Sequence, residues 1–435
     1  MGSLKVDKML ISDFHVHSKY AYACSEQLNI KNIDLVAKEK GIDLLGTGDF
    51  THPLWIKEIK EELVESGEGV YESKSSGTGT KFVLSSEVCT IFGGDSEKRS
   101  IFDKSGSIRK IHNCILAPNI EAAEAINSLL SRYGSLDGDG RPLLSVSAEE
   151  LVEGIKAISK DAFIFPAHAW TPWFGVFGSM SGFDSLKVAY GNQSDQIKAL
   201  ETGLSSDPSM NWRISGLDGI ALLSGSDAHS LPNLGREATI LDMDSEKLSY
   251  KNLIYSIEKR RISRTIEFYP EEGKYHYDGH RRCNISMDPS ESRKFNNICP
   301  VCRRRLTIGV MHRIDELADR PVGFVPQPAI PFSHIIPLQE IIAFVSKKGK
   351  NTNHVKNTYS KLISAFGNEF HILLKSSIEE LGEADNDVAI AIKNIREERV
   401  NIIPGYDGVF GIIDILNEMS VKRSGKQKTI SDFET

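Results

Sequence analysis

Short apolar runs alternate with stretches of helical period from the N-terminus to about residue 260. That rhythm predicts repeated βα units rather than an all-helical or all-β chain. The apolar runs at 9–14, 44–47, 81–86, 112–116, 162–166 and 221–226 predict strands. Apolar positions three and four apart predict helices over 30–40, which Gly41 can stop, and over 55–65, 120–133 and 250–259. The Gly/Ser-rich stretch 66–80 and residues 135–142 predict exposed loops. After Tyr269 the rhythm fades. From Asp319 a proline-rich stretch predicts an extended crossing, because proline blocks regular backbone pairing. Helical period returns over 357–366, 370–381 and 387–398. The divisions predict an α/β domain over 1–268, a separate module over 269–320, a mainly helical domain over 321–420 and a flexible tail over 421–435.

Composition narrows the class. A chain of 435 residues exceeds one ordinary core, and 40% hydrophobic with 26% charged residues describes a globular protein rather than a fibrous or disordered one. The opening MGSLKVDKML has no long apolar run and no later stretch reaches membrane-spanning length, which places the chain in the cytoplasm. Cys24, Cys89 and Cys114 stand alone, so they read as reduced structural thiols and not as a disulfide framework. A net charge of -7 speaks against a uniformly basic nucleic-acid binder. Its distribution reverses that reading locally: between His276 and Arg313, Arg281, Arg282, Arg293, Lys294, Arg303, Arg304, Arg305 and Arg313 stand against only Asp278, Asp288 and Glu291.

Candidate metal ligands fall at the ends of the predicted strands: His15, His17, Asp49, His52, Glu87, His112, His168, Asp227 and His229. In a βα barrel, strand C-termini are where catalytic groups converge. His15-x-His17 puts two imidazoles on one side of the pleat, since side chains alternate with period two, and Asp227-x-His229 repeats the device. Glu87, after the apolar run FVLSS, is suited to bridging two ions with its two oxygens. A lone histidine near a strand end is most often accidental, but two paired motifs with five further candidates are not. Mixed imidazole and carboxylate donors suit zinc, manganese and iron, and paired ions suit phosphoester hydrolysis, with Asp227, Glu87 and His229 as the catalytic candidates.

Two further sites stand outside this series. His280-x-x-Cys283 and Cys299-x-x-Cys302 have the spacing of a closed structural zinc shell, with His276 or His312 as alternatives to His280. Arg303, Arg304 and Arg305 follow at once, placed to meet phosphates. The loop HAWTPWFGVFG (168–178) carries Trp170, Trp173 and Phe174 beside a candidate ligand; such aromatics are core or stacking platforms for bases. In PGYDGVFG (404–411) the glycines demand a tight turn, and Tyr406 and Asp407 are candidates for reading a base edge. In the tail, Gln427, Ile430 and Phe433 are spaced as in short C-terminal peptides that bind a sliding clamp.

The motifs resemble the polymerase and histidinol phosphatase (PHP) superfamily. His15 and His17 match its first motif, TGDFTH (47–52) its second, Glu87 and His112 its middle ligands, PAH ending at His168 its third and GSDAH (225–229) its fourth. The second motif departs from the commoner Thr-Asp-His, which leaves Asp49, His52 or both as the ligand. With the zinc module, TIGVMHRIDELADRP (307–321) and PGYDGVFG, the order of motifs is similar to the endonuclease Q family of DNA-repair nucleases over nearly the whole chain. The resemblance implies a distorted seven-stranded βα barrel with an inserted or appended zinc-binding module and a small, mainly helical C-terminal domain. It implies two or three divalent metals in the barrel, zinc, manganese or magnesium, beside one structural zinc. It implies nicking of DNA 5′ to deaminated bases (hypoxanthine, uracil, xanthine) and at abasic sites, by hydroxide activated at the metals. The competing expectations are a phosphomonoesterase of the histidinol-phosphatase type and a non-enzymatic DNA-binding scaffold.

Overall fold

The computed structural model describes residues 9–93 and 108–416. Strands β1 (Met9–Asp13), β2 (Leu44–Gly46) and β3 (Lys81–Phe92) run parallel, and β4 (Arg109–Ala117) and β5 (Phe163–Pro166) continue the sheet antiparallel. Beyond β5, the Ala169 N–H donates to the Glu201 carbonyl at 3.0 Å, joining β6 (Ala199–Glu201), which pairs in parallel with β7 (Ala221–Leu223). A parallel bridge between Val16 and Ala228 brings the end of β7 back to β1 and closes the ring. The two antiparallel steps distort what is otherwise a βα barrel, and β8 (Ala238–Asp242) and β9 (Ile262–Glu267) extend the sheet outward from β1.

Helices follow their local signals. In α1 (Ile30–Lys40), Asn29 caps the start by accepting from the Asn32 N–H, and Gly41 at φ 87 ends it in the left-handed region that glycine tolerates. The helix predicted over 55–65 is α2 (Pro53–Glu62). Pro53 opens it, with a missing N–H that a first helical turn does not need. The loop predicted over 66–80 contains part of an antiparallel hairpin, Leu63–Gly67 with Val70–Ser73, whose few apolar positions gave no alternation to read. After α3 (Ile120–Leu130), a full capping box of Ser147 and Glu150 starts α4 (Ala148–Ile158); α5 (Tyr250–Glu258) lies between β8 and β9.

The middle module is an insertion. A hairpin of β10 (Asp278–His280) and β11 (Ile285–Met287) leads to α6 (Val310–Leu317), and β12 (Phe332–His334) then returns to pair in parallel with β9. Its own core is Ile285, Met287, Cys299 and Leu306, too small to hold a fold without a staple. The C-terminal unit comprises α7 (Leu338–Ser346), α8 (Asn353–Phe366), α9 (Glu369–Leu374), α10 (Ile378–Ala384) and α11 (Asn386–Arg396). The predicted helix 370–381 breaks in two because Ser377 caps a new start at α10.

The predicted boundaries do not separate cores. Leu338, Ile341, Phe370 and Val388 belong to the same buried cluster as Ile33, Ile42 and Leu45 of the barrel. Lys40 of α1 and Glu369 of α9 form an ion pair of 2.7 Å across this seam, each side chain 5% exposed. Breaking such a buried pair on one side is strongly destabilising. Among the described residues no helix is long and apolar enough to cross a membrane.

Candidate metal centre and nucleic-acid interface

The strand ends deliver two donor groups that share one residue. His15, His17, Glu87 and Asp227 bring their ligand atoms within 4.8 Å of one another, as do Glu87, His112 and His168. Glu87 Oε1 lies 2.7 Å from His112 Nδ1 and 2.9 Å from His168 Nε2, while its Oε2 lies 3.3 Å from His17 Nε2 and 3.5 Å from His15 Nε2. The two oxygens therefore face different groups, the arrangement a bridging carboxylate needs. Asp227 Oδ1 adds contacts of 3.0 Å to His17 Nε2 and 3.5 Å to His15 Nε2.

Outer carboxyls orient the rings. His17 Nδ1 donates to Asp49 Oδ1 at 2.9 Å, and His15 Nδ1 donates to Glu201 Oε2 at 2.9 Å. With the proton fixed on Nδ1, the Nε2 lone pair of each ring points into the cluster. Metal-binding histidines are held in this way. His15 Nε2 is buried with no hydrogen-bond partner, an orphan that a cation would satisfy. The donor set therefore fits divalent metals.

Burial lowers His15, His17 and His168, but the charges around them outweigh it and raise all three above the usual imidazole range, so a cation entering here displaces protons. Burial raises the Glu87 carboxyl, but His112 and His15 beside it outweigh burial and hold it well below the usual carboxylate range. Asp227 is likewise raised by burial and lowered further by His15 and His17. Burial pushes His112 down to about 4, against the pull of Glu87 beside it.

Backbone strain marks the same positions. Asp49, His168 and Asp227 adopt φ of 46°, 29° and 46°, in the left-handed region that non-glycine residues avoid. Such strain costs about 1–3 kcal/mol per residue and concentrates at functional sites.

Three further candidates, Asp49, His52 and His229, lie outside both donor groups. Asp49 stands behind His17, its second oxygen accepting from the Ser18 N–H at 2.6 Å, so it orients a ligand and does not join the cluster. His52 stands apart too: Nδ1 accepts from the Leu54 N–H at 3.3 Å as the cap of α2, and Nε2 donates to the Asp137 carbonyl at 3.2 Å. His229 stands at the rim, its ring 4.5 Å from that of His17 and its Nδ1 donating to the Asp227 carbonyl at 2.9 Å.

Sequence reading missed Glu201, Arg141 and Asp13. Arg141 Nη1 reaches to 3.3 Å from Glu87 Oε2. Asp13 accepts from the Ser226 N–H at 3.0 Å and the Gly235 N–H at 3.1 Å, fixing the loop that carries Asp227. Asp13 sits two positions before His15 at the end of β1, a placement that could have flagged it.

The aromatic loop is a tight coil. Trp170 is 1% exposed and its Nε1 donates to Asn211 Oδ1 at 2.8 Å, so it is core and not a DNA platform. Gly178 permits the coil, since a Cβ there would lie 2.3 Å from the Thr171 carbonyl oxygen. Trp173, 41% exposed, and Phe174 instead border a cavity of about 390 Å³ with Pro270, Tyr275, His276 and Val310. Phe174 stacks on His112 at 4.5 Å, so this cavity adjoins the donor cluster.

In the inserted module, His280, Cys283, Cys299 and Cys302 bring donors within 4.8 Å of one another. His276 lines the cavity instead, and His312 Nδ1 donates to Asp278 Oδ2 at 2.5 Å. Arg303, Arg304 and Arg305 are exposed beyond the knuckle. Asp407 is spent on structure: Oδ2 accepts from the Arg281 N–H at 2.7 Å and Oδ1 from the Thr307 hydroxyl at 2.6 Å, while Tyr406 is 8% exposed. Gln427, Ile430 and Phe433 lie outside the described residues.

Comparison with known proteins gives this arrangement a family. PfuEndoQ, a lesion-specific endonuclease from Pyrococcus furiosus, superposes with a TM-score of 0.82 at 30% identity, covering 97% of this chain and 100% of that one. The chain belongs to the endonuclease Q family. A second endonuclease Q, in complex with a 27-mer duplex carrying an abasic lesion at its active site, matches with a TM-score of 0.80 at 31% identity, covering 94% and 98% of the two chains. The family model described as the MJ0043 C-terminal domain matches residues 337–399, the helical unit seen here. An uncharacterised protein of Methanocaldococcus jannaschii, MJ0043, is 31% identical over 251 residues, 57% of this chain and 31% of that protein. The chain thus spans about a third of the length of that curated relative.

Proposed function

We propose that the protein is a metal-dependent DNA-repair endonuclease that hydrolyses the phosphodiester 5′ to deaminated bases (hypoxanthine, uracil, xanthine) and at abasic sites. The observation that carries the reading is Glu87, shared between two donor groups at the mouth of a barrel whose chain matches endonuclease Q along its length. His15, His17, Glu87 and Asp227 would hold one cation and Glu87, His112 and His168 a second, of zinc, manganese or magnesium. When bound, such cations polarise the phosphate and lower the pKa of water to about 7.

The chain's own groups do the rest. Arg141, partly buried beside Glu87, offers a guanidinium to the phosphate. The His229 ring, kept neutral by burial, leaves Nε2 to take up and pass on a proton at the rim. An extruded base fits the cavity beside Phe174, where Trp173 and Tyr275 can stack on it; stacking contributes about 1–3 kcal/mol per base. Arg303, Arg304 and Arg305 meet the DNA backbone, on a module held by a structural zinc at His280, Cys283, Cys299 and Cys302. The tail through Gln427, Ile430 and Phe433 is proposed to bind a sliding clamp.

Labelled duplexes containing uracil, hypoxanthine, an abasic site or no lesion, incubated with zinc, manganese or magnesium, test this. A nick beside the lesion that Asp227→Ala abolishes is expected. Phosphate released from a small monoester with no nick would install the phosphatase reading, and no hydrolysis at all would leave a DNA-binding scaffold.

A further inference from the structure

We infer that Glu201 is the positioning residue that sets the donor geometry of both metal groups at once. The inference rests on the metal-dependent reading above. Glu201 ends β6, is 1% exposed, and uses its carboxyl twice. Its Oε2 accepts from His15 Nδ1 at 2.9 Å and from the His168 backbone N–H at 2.7 Å, and its Oε1 lies 3.1 Å from His15 Nδ1. Asp49 serves His17 alone; Glu201 serves one residue of each group.

The two contacts do different things. On His15 the contact fixes the tautomer, so the buried Nε2 turns its lone pair to the space it shares with Glu87 and Asp227, where a cation would sit. On His168 it anchors the N–H of a residue held at φ 29°, the strained turn that aims the ring at Glu87. Glu87 thus joins the two groups from inside and Glu201 ties them from behind. The surroundings are cut to fit: a Cβ on Gly225 would lie 2.4 Å from Glu201 Oε1, and one on Gly203 would lie 2.5 Å from the His168 Cβ.

Cys114 supplies the rival account. His15, Cys114 and Glu201 also bring ligand atoms within 4.8 Å of one another, so Glu201 could instead belong to a further metal site. The two accounts differ in what Cys114 does. Positioning needs no thiol.

Manganese binding to the metal-free full chain decides between them, read as the loss of the free-ion electron paramagnetic resonance signal. The shell of three thiols and one imidazole in the inserted module holds manganese poorly, whereas a site with a single thiol between His15 and Glu201 would still take it, so the titration reports the barrel. Glu201→Gln keeps one oxygen in the place of Oε2, but it removes the negative charge behind His15 and sets an amide N–H at the Oε1 position, 3.1 Å from His15 Nδ1, where it competes for that nitrogen. We expect its manganese affinity to fall about 10–100-fold, with the circular dichroism of the metal-free protein unchanged and kcat reduced at unchanged KM for duplex. Glu201→Asp should recover part of the affinity, and Cys114→Ser should bind the full complement. Wild-type manganese binding by folded Glu201→Gln overturns the inference, and so does loss of one equivalent in Cys114→Ser. The nuclease assay is independent: a wild type that binds manganese and cuts no lesion sinks the proposed function while leaving Glu201 its role.

Discussion

Two residues three positions apart in TGDFTH play unrelated parts, and only backbone direction separates them. Asp49 turns inward at φ 46° to hold His17, whereas His52 caps α2 and stacks on Tyr20 at 4.4 Å. Asp49→Ala is therefore expected to lower manganese affinity about 10–100-fold, since partners behind a ligand carry that much. His52→Ala should leave metal content unchanged and cost about 0.5–2 kcal/mol of stability, the worth of a helix cap, in urea unfolding. His276 gives a pH-dependent counterpart away from the cluster. Burial pushes it down to about 4 and its Nδ1 has no hydrogen-bond partner, so the folded chain keeps it neutral where the unfolded chain, at 6.5, takes up a proton. Its contribution to stability is thus complete above pH 6.5 and is lost as the pH falls toward 4, on the order of 3 kcal/mol in all. His276→Phe should flatten that limb of the stability curve. A curve parallel to that of the wild type would show the histidine to be solvated.

At the scale of elements, the legible parts were those whose spacing repeats. His15-x-His17 and Asp227-x-His229 announced themselves because period two on a strand fixes which side chains share a face, and Glu87 followed the short run FVLSS. Strand β6 gave no such signal: Ala199–Glu201 is three residues long, too short for alternation, so Glu201 looked like any acidic residue between helices. Arg141 sits in a loop and reaches Glu87 only through the folded path of the chain. Trp170 misled for the opposite reason. Glycines around it suggested an open loop, but they let the loop coil on itself and bury the ring. The close contact of β6's exit with the turn after β5 makes a sharp prediction. Gly203 has φ 63°, and a Cβ there would meet His168 backbone as well as side chain, 2.7 Å from its Cα. Gly203→Ala should destabilise the protein by about 1–3 kcal/mol and weaken the group formed by Glu87, His112 and His168 before that of His15 and His17. Equal loss from both groups in a metal titration would count against it.

At the scale of the whole molecule, the sequence divided the chain more cleanly than the structure does. The basic module was visible as a change in composition, but whether it was inserted or appended was not, because β12 is a three-residue strand whose partner lies far back in the sequence. α6 also reaches into the barrel: Arg313 donates to the Phe177 carbonyl at 3.1 Å and the Phe183 carbonyl at 3.2 Å, gripping the aromatic loop. Stripping zinc from the module should therefore change Trp173 fluorescence as well as the module itself, and the same spectrum before and after chelation would uncouple the two.

The return of the chain to β9 has a practical consequence for anyone dividing this protein. Ending it at residue 268 removes β12 from the sheet and strips Leu338 and Phe370 from the common core, uncovering an unpaired strand beside raw apolar surface. Such a fragment should collect in inclusion bodies, and a monodisperse 1–268 fragment would contradict the shared core. The nuclease barrel is thus no portable cassette: evolution could lend it to another gene only together with the helices that complete its wall.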